Sequence, residues 1–151
     1  EFYALDRNHA YFDGLVLPQS DAETFAILGD SWSKDQSAFF YAATKVNVCN
    51  PESFQVIEPS RARDRDCYFL KGERVTVQDI DTLEVLDGLY ALDSSKVYWG
   101  RWVVEGADPN SFEVKENAPV SLAKDKHFCY SAARKLNCVE LNLDGQQFCG
   151  C

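Results

Sequence analysis

The sequence contains no methionine and no apolar run that approaches the roughly 20 residues of a membrane-spanning helix. The lack of such a run predicts a chain without a membrane span. The lack of methionine predicts that the amino terminus was trimmed. Either a signal peptide was removed after export, or Glu1 and Phe2 derive from a vector. We expect the first, because the cysteine content described below also favours export.

Basic residues and catalytic motifs are scarce as well. The 15 lysines and arginines are outnumbered by 24 aspartates and glutamates, so the formal net charge is −9. Nucleic-acid phosphates would repel such a chain, whereas a cationic protein partner would be attracted. There is no phosphate-binding glycine loop and no Gly-x-Ser-x-Gly elbow. Neither His9 nor His127 lies in a recognised catalytic motif, so we expect neither an enzyme nor a cofactor.

What the sequence has instead is an internal repeat with a spacing of 29 residues. Each copy begins with Asp, carries an aromatic residue five positions later, and has Asp or Asn and then Thr or Ser near its middle. The leading residues are Asp6, Asp35, Asp64 and Asp93, and the aromatic ones are Tyr11, Phe40, Phe69 and Tyr98. A fifth copy begins at Asp125 and loses the pattern after Leu136. Such repetition indicates units that complete one another's core.

Within each copy, short aromatic and β-branched runs are bounded by Asp, Gly, Ser and Asn, a pattern typical of strands and hairpins. Gly14 and Gly72 fall in two predicted hairpin turns, where a positive φ is needed. Segments such as residues 108–112 predict a single helical turn capped by Asp. We therefore predict an all-β fold of four or five β-hairpin repeats, propeller-like or solenoid-like, with short single-turn helices.

The predicted domain organisation is one β-repeat domain over residues 1–151. Its units start near residues 3, 32, 61, 90 and 122, and the last unit is degenerate and rich in cysteine. The repeated aspartates are expected to cap turns. A calcium loop is disfavoured because Arg65 and Ile80 interrupt the acidic pairs and no glycine marks the turn of the loop. The aromatic residues are expected in the core.

An even number of cysteines in a small exported chain predicts disulfides. The six are Cys49, Cys67, Cys129, Cys138, Cys149 and Cys151, and the sequence leaves their pairing open. Four of them lie where the repeat decays, so we expect disulfides to replace repeat packing at that end. A zinc site is disfavoured because no paired Cys-x-x-Cys spacing is present. A nucleophilic pair of His127 and Cys129 is the other alternative, and disulfide formation is the simpler one.

The fourth copy resembles the DKNYY repeat family of bacterial envelope proteins, and the similarity runs through nearly the whole chain up to Leu136 of the fifth copy. The resemblance rests on Tyr90-Ala91-Leu92-Asp93, Val97-Tyr98-Trp99 and residues 106–114. The Asp-Lys-Asn core of the family occurs in altered forms, such as Asp6-Arg7-Asn8 and Asp125-Lys126-His127. Size, acidity and cysteine content also make the chain similar to periplasmic immunity proteins. These inhibit a type VI secretion effector, an amidase that cleaves peptidoglycan peptides.

This resemblance implies a periplasmic, non-enzymatic inhibitor that occludes the cleft of a Cys-His amidase whose surroundings are cationic. The alternative is a non-catalytic envelope module that binds other proteins or glycan. The candidate partner-binding residues are Ser94, Ser95, Lys96, Tyr98, Trp99 and Trp102. A serine hydroxyl can occupy a catalytic histidine without reacting, and aromatic residues are common binding anchors. The competing interpretation is that Ser94 and Ser95 are ordinary turn residues.

Overall fold

The computed structural model describes residues 2–116, 122–136, 148 and 149. Over these residues the chain forms 19 short strands in five small antiparallel sheets, together with three single-turn 3₁₀ helices. The prediction of an all-β repeat fold is confirmed. None of the described helices is long and apolar enough to cross a membrane. The chain divides into two compact units, residues 1–76 and 77–151.

The first unit contains three sheets whose strands follow one another in sequence and in space. The first sheet consists of β1 (Tyr3–Leu5), β2 (Ala10–Phe12) and β3 (Leu15–Val16). The second consists of β4 (Ala26–Ile27), β5 (Trp32–Lys34), β6 (Phe39–Tyr41) and β7 (Thr44–Val46). The third follows a 3₁₀ helix (Pro51–Ser53) and consists of β8 (Gln55–Glu58), β9 (Arg61–Arg63), β10 (Tyr68–Leu70) and β11 (Glu73–Val75).

The second unit contains two four-stranded sheets, each preceded by a 3₁₀ helix (Ile80–Thr82 and Pro109–Ser111). One sheet consists of β12 (Glu84–Val85), β13 (Tyr90–Leu92), β14 (Val97–Trp99) and β15 (Trp102–Val103). The other consists of β16 (Glu113–Val114), β17 (Leu122–Lys124), β18 (Cys129–Ser131) and β19 (Arg134–Leu136). Strands β1, β5, β9, β13 and β17 begin at the residues where the repeat places its unit starts. That the five repeat units form a single domain remains a prediction.

Two hairpin turns confirm the role predicted for glycine. The turn between β2 and β3 has positive φ at Asp13 (48°) and Gly14 (77°), and the turn between β10 and β11 has positive φ at Lys71 (51°) and Gly72 (79°). Two successive positive φ angles are the signature of the type I′ turn, whose twist matches that of a hairpin. Gly72 is also close to a neighbouring side chain, since a Cβ there would lie 2.7 Å from Cβ of Tyr41.

Four of the repeated aromatic residues are core residues, as predicted, whereas Tyr11 is only half-buried. Phe40, Phe69, Tyr98 and Tyr130 are each at most 2% exposed. Each buried cluster takes side chains from two successive sheets. One joins Leu17 to Phe40, a second joins Trp32 to Phe69, and a third joins Tyr90 to Tyr130. Each sheet is too small to bury an apolar face alone, so neighbouring copies complete one core.

Two disulfides are formed within the described residues, Cys49–Cys67 and Cys129–Cys149. The first ties the segment after β7 to the start of β10, and the second ties the start of β18 to the carboxy-terminal part of the chain. The disulfide prediction is confirmed for these four residues, and Cys138 and Cys151 lie outside the described residues. Because Cys129 is bonded to Cys149, it offers no thiolate to His127, and the nucleophilic-pair interpretation is wrong.

Candidate functional site

In the second to fifth repeats the leading Asp joins its own turn to the preceding segment of the chain. In the fourth copy Asp93 is fully buried. Its Oδ1 accepts the backbone N–H groups of Ser95 and Lys96, each at 2.8 Å. Its Oδ2 accepts the N–H groups of Gln78 and Asp79, each at 2.9 Å, from the segment that leads into β12. One carboxylate therefore fixes the turn before β14 and also anchors the chain that enters the same sheet.

The same arrangement recurs at Asp35, Asp64 and Asp125. Each accepts N–H groups two and three positions ahead and at least one N–H from a segment 14 to 17 residues behind. Where the aromatic residue of the repeat is Tyr, its hydroxyl is a further donor. Tyr98 bonds Asp93 at 2.7 Å and Tyr130 bonds Asp125 at 2.8 Å. The predicted turn-capping role of Asp is confirmed, and it extends to the link with the preceding segment.

These hydrogen bonds determine the pKa values of the buried groups. Burial by itself would raise the pKa of Asp93, but the donors that surround the carboxylate outweigh burial and hold the pKa below its ordinary value. The pKa values of Asp35 and Asp125 are lowered by the same balance. Burial, followed by the bond to Asp93, raises the pKa of Tyr98 to about 12. The carboxylates are therefore ionised, and the tyrosine neutral, near neutral pH.

One cluster of potential metal ligands occurs in the described part of the chain. The ligand atoms of Cys49, Asp64 and Cys67 lie within 4.8 Å of one another. The two sulfur atoms are bonded to each other, however. Both oxygens of Asp64 face backbone N–H groups, including those of the two cysteines. Oxygens that are surrounded by N–H donors do not face a cation, so we assign this cluster to the fold and not to a metal.

The side chain of Ser94 also belongs to the link between successive repeats. Its Oγ donates to Oδ2 of Asp79 at 2.8 Å, and its backbone N–H donates to Oγ1 of Thr82 at 2.9 Å. Equivalent side-chain links occur in other copies, from Gln36 to Asp21 at 2.6 Å and from Lys126 to Asp108 at 2.7 Å. The Ser94 hydroxyl therefore already has an internal acceptor.

The turn formed by Ser94, Ser95 and Lys96, here called the 94–96 turn, has all three residues exposed. Tyr98 does not share this surface, because it is only 2% exposed and its hydroxyl bonds Asp93 and accepts the N–H of Gln78. Tyr98 supports the turn through its hydrogen bond to Asp93, whose carboxylate holds the backbone of the turn. The accessible chemistry of the turn thus consists mainly of the Ser95 hydroxyl and the Lys96 ammonium group.

The two candidate tryptophans lie at the other end of β14 from this turn. Trp99 pairs with Trp102 across β14 and β15. Trp102 is 62% exposed, whereas Trp99 is half-buried and its indole N–H has no partner among the described residues. The six candidate residues therefore form two features, the exposed turn before β14 and the tryptophan pair after it, with Tyr98 buried between them.

Sequence reasoning missed the bonds that connect the repeated polar positions of successive copies. It treated the Asp at the start of a copy and the Asp/Asn and Thr/Ser near its middle as separate turn caps. In the structure Asp79 and Thr82, from the middle of one copy, bond Ser94, the residue after the next leading Asp. A signal for these bonds was present in the sequence. The leading Asp, the Asp or Asn and the Thr or Ser recur at the same spacing in successive copies, and the capping of a single turn does not require that spacing.

Comparison with known proteins gives a family and no individual relative. The chain matches the DKNYY family over residues 1–100. No curated protein and no solved structure matches it. The hydrogen bonds of Asp125 repeat those of Asp93, so the geometry of the repeat continues beyond the matched residues. With 100 of its 151 residues matched, the chain belongs to the DKNYY family.

Proposed function

We propose that the protein is a periplasmic immunity protein that binds a peptidoglycan amidase and occludes its active-site cleft. The proposed target is a type VI secretion effector with a Cys-His catalytic pair. The protein itself performs no catalysis in this proposal and needs no cofactor. Two disulfides in the described residues support an oxidising compartment.

The observation that carries the proposal is that the 94–96 turn is exposed while the two side chains that hold it, Asp93 and Tyr98, are buried and hydrogen-bonded. Asp93 fixes the backbone of the turn through the N–H groups of Ser95 and Lys96, and Tyr98 braces the carboxylate. A turn held in this way loses little conformational entropy when it enters a cleft, and such preorganisation strengthens binding. A hydroxyl that both donates and accepts suits the imidazole of a catalytic histidine.

In this proposal Ser95, and not Ser94, makes the contact. The Ser94 hydroxyl would have to leave Asp79 before it met a partner, whereas the Ser95 side chain is exposed. The net charge of −9 favours encounter with a cationic cleft. We expect an interface of roughly 1,200–2,000 Å², the usual size for inhibitor complexes.

The test is affinity capture from a bacterial periplasmic extract on the immobilised protein, followed by identification of what is retained. We expect one dominant peptidoglycan hydrolase, whose purified activity the protein abolishes at a 1:1 ratio. The variant Ser95→Trp should lose both capture and inhibition, because the bulky indole prevents the turn from entering the cleft.

The matched control is His127→Trp, which places the same indole at the equivalent turn position of the last sheet. The N–H of His127 bonds Asp125 as that of Ser95 bonds Asp93. This variant should capture and inhibit as the wild type does. Equal inhibition by Ser95→Trp would remove the 94–96 turn from the proposal. Retention of glycan fragments, or of many proteins without a hydrolase, would overturn it in favour of a general envelope-binding module.

A further inference from the structure

Two exposed turns of the described residues contain the same three residues, Asp-Gly-Leu. One is the turn between β2 and β3, at residues 13–15, and the other lies between β12 and β13, at residues 87–89. Both aspartates and both glycines are exposed. Glycine has no Cβ, so the main-chain nitrogen that follows each aspartate meets little steric hindrance. Sequence and exposure therefore give the two turns the same chemistry. A third Asp-Gly pair, at residues 144 and 145, lies outside the described residues.

The Asp87 side chain lies against the nitrogen of the residue that follows it. The backbone N–H of Gly88 donates to Oδ1 of Asp87 at 2.8 Å. The carboxyl carbon is bonded to this oxygen, so it also lies close to the Gly88 nitrogen. Rotation about the Cβ–Cγ bond turns the face of the carboxyl group toward the nitrogen without moving the carboxyl carbon. Reacting atoms that are held close together in this way favour an intramolecular reaction.

The backbone on both sides of this pair is tied to strand β13. Gly88 has a φ of 66°, which glycine adopts without strain. The N–H of Tyr90 donates to the Asp87 carbonyl at 3.4 Å, and the N–H of Leu86 donates to the Tyr90 carbonyl at 3.0 Å. Tyr90 itself is fully buried. The fold therefore keeps the Gly88 nitrogen beside an exposed carboxyl group.

The other turn separates the corresponding groups of Asp13 and Gly14. Asp13 has a φ of 48° and is the first residue of the type I′ turn before β3. In a left-handed residue, with a ψ of about +47°, Cβ and the nitrogen of the next residue lie on nearly opposite sides of the Cα–C bond. Phe12 and Leu15 pair across the turn and hold it in this form. The Asp13 carboxyl group therefore reaches the Gly14 nitrogen only when the hairpin turn opens.

We propose that Asp87 is a site of spontaneous isoaspartate formation in the folded protein, and that the hairpin turn protects Asp13 from the same reaction. The Gly88 nitrogen attacks the carboxyl carbon of Asp87 and forms a C–N bond. The proton of the nitrogen and the hydroxyl of the carboxyl group leave together as water, and a five-membered succinimide ring remains.

A second water molecule then opens the ring. Cleavage of the new C–N bond restores aspartate, whereas cleavage of the original peptide bond produces isoaspartate. In isoaspartate the main chain runs through the side chain and gains a methylene group. The connection between β12 and β13 is lengthened as a result, in the sheet that also carries the 94–96 turn.

The test is incubation of the intact, folded protein at about pH 5, because a protonated carboxyl group loses water more readily than a carboxylate. Proteolytic peptides are then identified by mass spectrometry, and isoaspartate is measured by enzymatic methylation of its carboxylate. Two synthetic peptides, residues 10–18 and 84–92, are incubated beside the protein as unfolded references. We expect the two peptides to convert at similar rates, and Asp87 of the folded protein to convert roughly tenfold faster than Asp13.

Two variants at the same position are the controls. Asp87→Asn should convert faster than the wild type, because an amide loses ammonia more readily than a carboxyl group loses water. Asp87→Glu keeps the charge but would need a six-membered ring, so this position should not convert. Equal conversion of Asp13 and Asp87 in the folded protein would rule the proposal out. So would a folded protein in which Asp87 stays intact while the peptide of residues 84–92 converts. The measurement needs no binding partner, so its outcome is independent of the proposed amidase complex.

Discussion

At the scale of single residues, the repeat is maintained by a few positions that have no substitute. The buried Asp of the second to fifth copies is one, because only a carboxylate can accept three or more N–H groups from two directions. Gly72 is another, for it combines a φ of 79° with close contact to Tyr41. Gly14 has nearly the same φ, 77°, yet a Cβ there would meet nothing within 4 Å. Substitution of Gly14 therefore measures the cost of backbone strain alone, whereas substitution of Gly72 measures backbone strain together with steric overlap.

We expect Gly14→Ala to lower the free energy of unfolding by about 1–2 kcal/mol, which is the cost of a left-handed conformation for an L-residue. Gly72→Ala should cost a further ~1–3 kcal/mol, because Cβ of Tyr41 is close to the backbone and has little room to move. Urea unfolding of the two variants beside the wild type measures both values. Equal losses would show that the close approach to Tyr41 is relieved without cost.

At the scale of elements, each sheet is a minimal hairpin assembly that depends on links to the next. Within the first unit the Cys49–Cys67 disulfide reinforces such a link at a place where hydrogen bonds already exist. Both cysteine N–H groups bond Asp64, and Cys67 is only 3% exposed. The covalent bond and the carboxylate thus hold the same two segments together. The disulfide is structural in this interpretation, since the described residues contain no free cysteine that could exchange with it.

Replacing both cysteines, Cys49→Ser with Cys67→Ser, should lower the free energy of unfolding by about 3 kcal/mol, because the disulfide restricts a loop with a sequence separation of 18 residues in the unfolded chain. Thermal unfolding of the variant and the wild type, each with and without reductant, measures the loss. The reductant should destabilise the variant less than it destabilises the wild type. A variant as stable as the wild type, or a peptide map without a Cys49–Cys67 crosslink, would contradict the assignment.

At the scale of the whole molecule, buried carboxylates couple stability to pH. The pKa values of Asp35, Asp93 and Asp125 are lowered in the folded protein, because hydrogen-bond donors outweigh the opposing effect of burial. A folded-state pKa below the unfolded value of 3.8 means that unfolding takes up protons. The stabilisation is therefore complete above that value and is lost as the pH falls through the lower folded-state values.

We expect the urea midpoint to change little between pH 7 and pH 5 and to fall steeply below about pH 4. Asp93→Asn should be less stable at pH 7 by about 1–3 kcal/mol, because buried N–H groups lose their acceptor. Its stability should also fall less steeply in acid, since one of the responsible carboxylates is gone. Unfolding curves at several pH values test both statements. A midpoint for Asp93→Asn that falls in parallel with the wild type would contradict the role of this group.

The sequence by itself determined the all-β class, the repeat and the disulfide-forming character of the cysteines. It could do so because a fixed spacing, alternating short strands and turn-forming residues are local properties. It also placed the positive φ angles at Gly14 and Gly72, since hairpin turns impose their own residue preferences. The sequence also assigned the aromatic residues to the core, because a large apolar side chain at the same position of successive copies is typical of a packed core.

Only the tertiary structure decided which side chains remain accessible. Ser94 and Ser95 are adjacent and chemically identical, yet one bonds Asp79 and the other is exposed, because the partner lies 15 residues away in sequence and is brought close by folding. Exposure depends on what packs beside a residue, and the chain's local pattern does not contain that information.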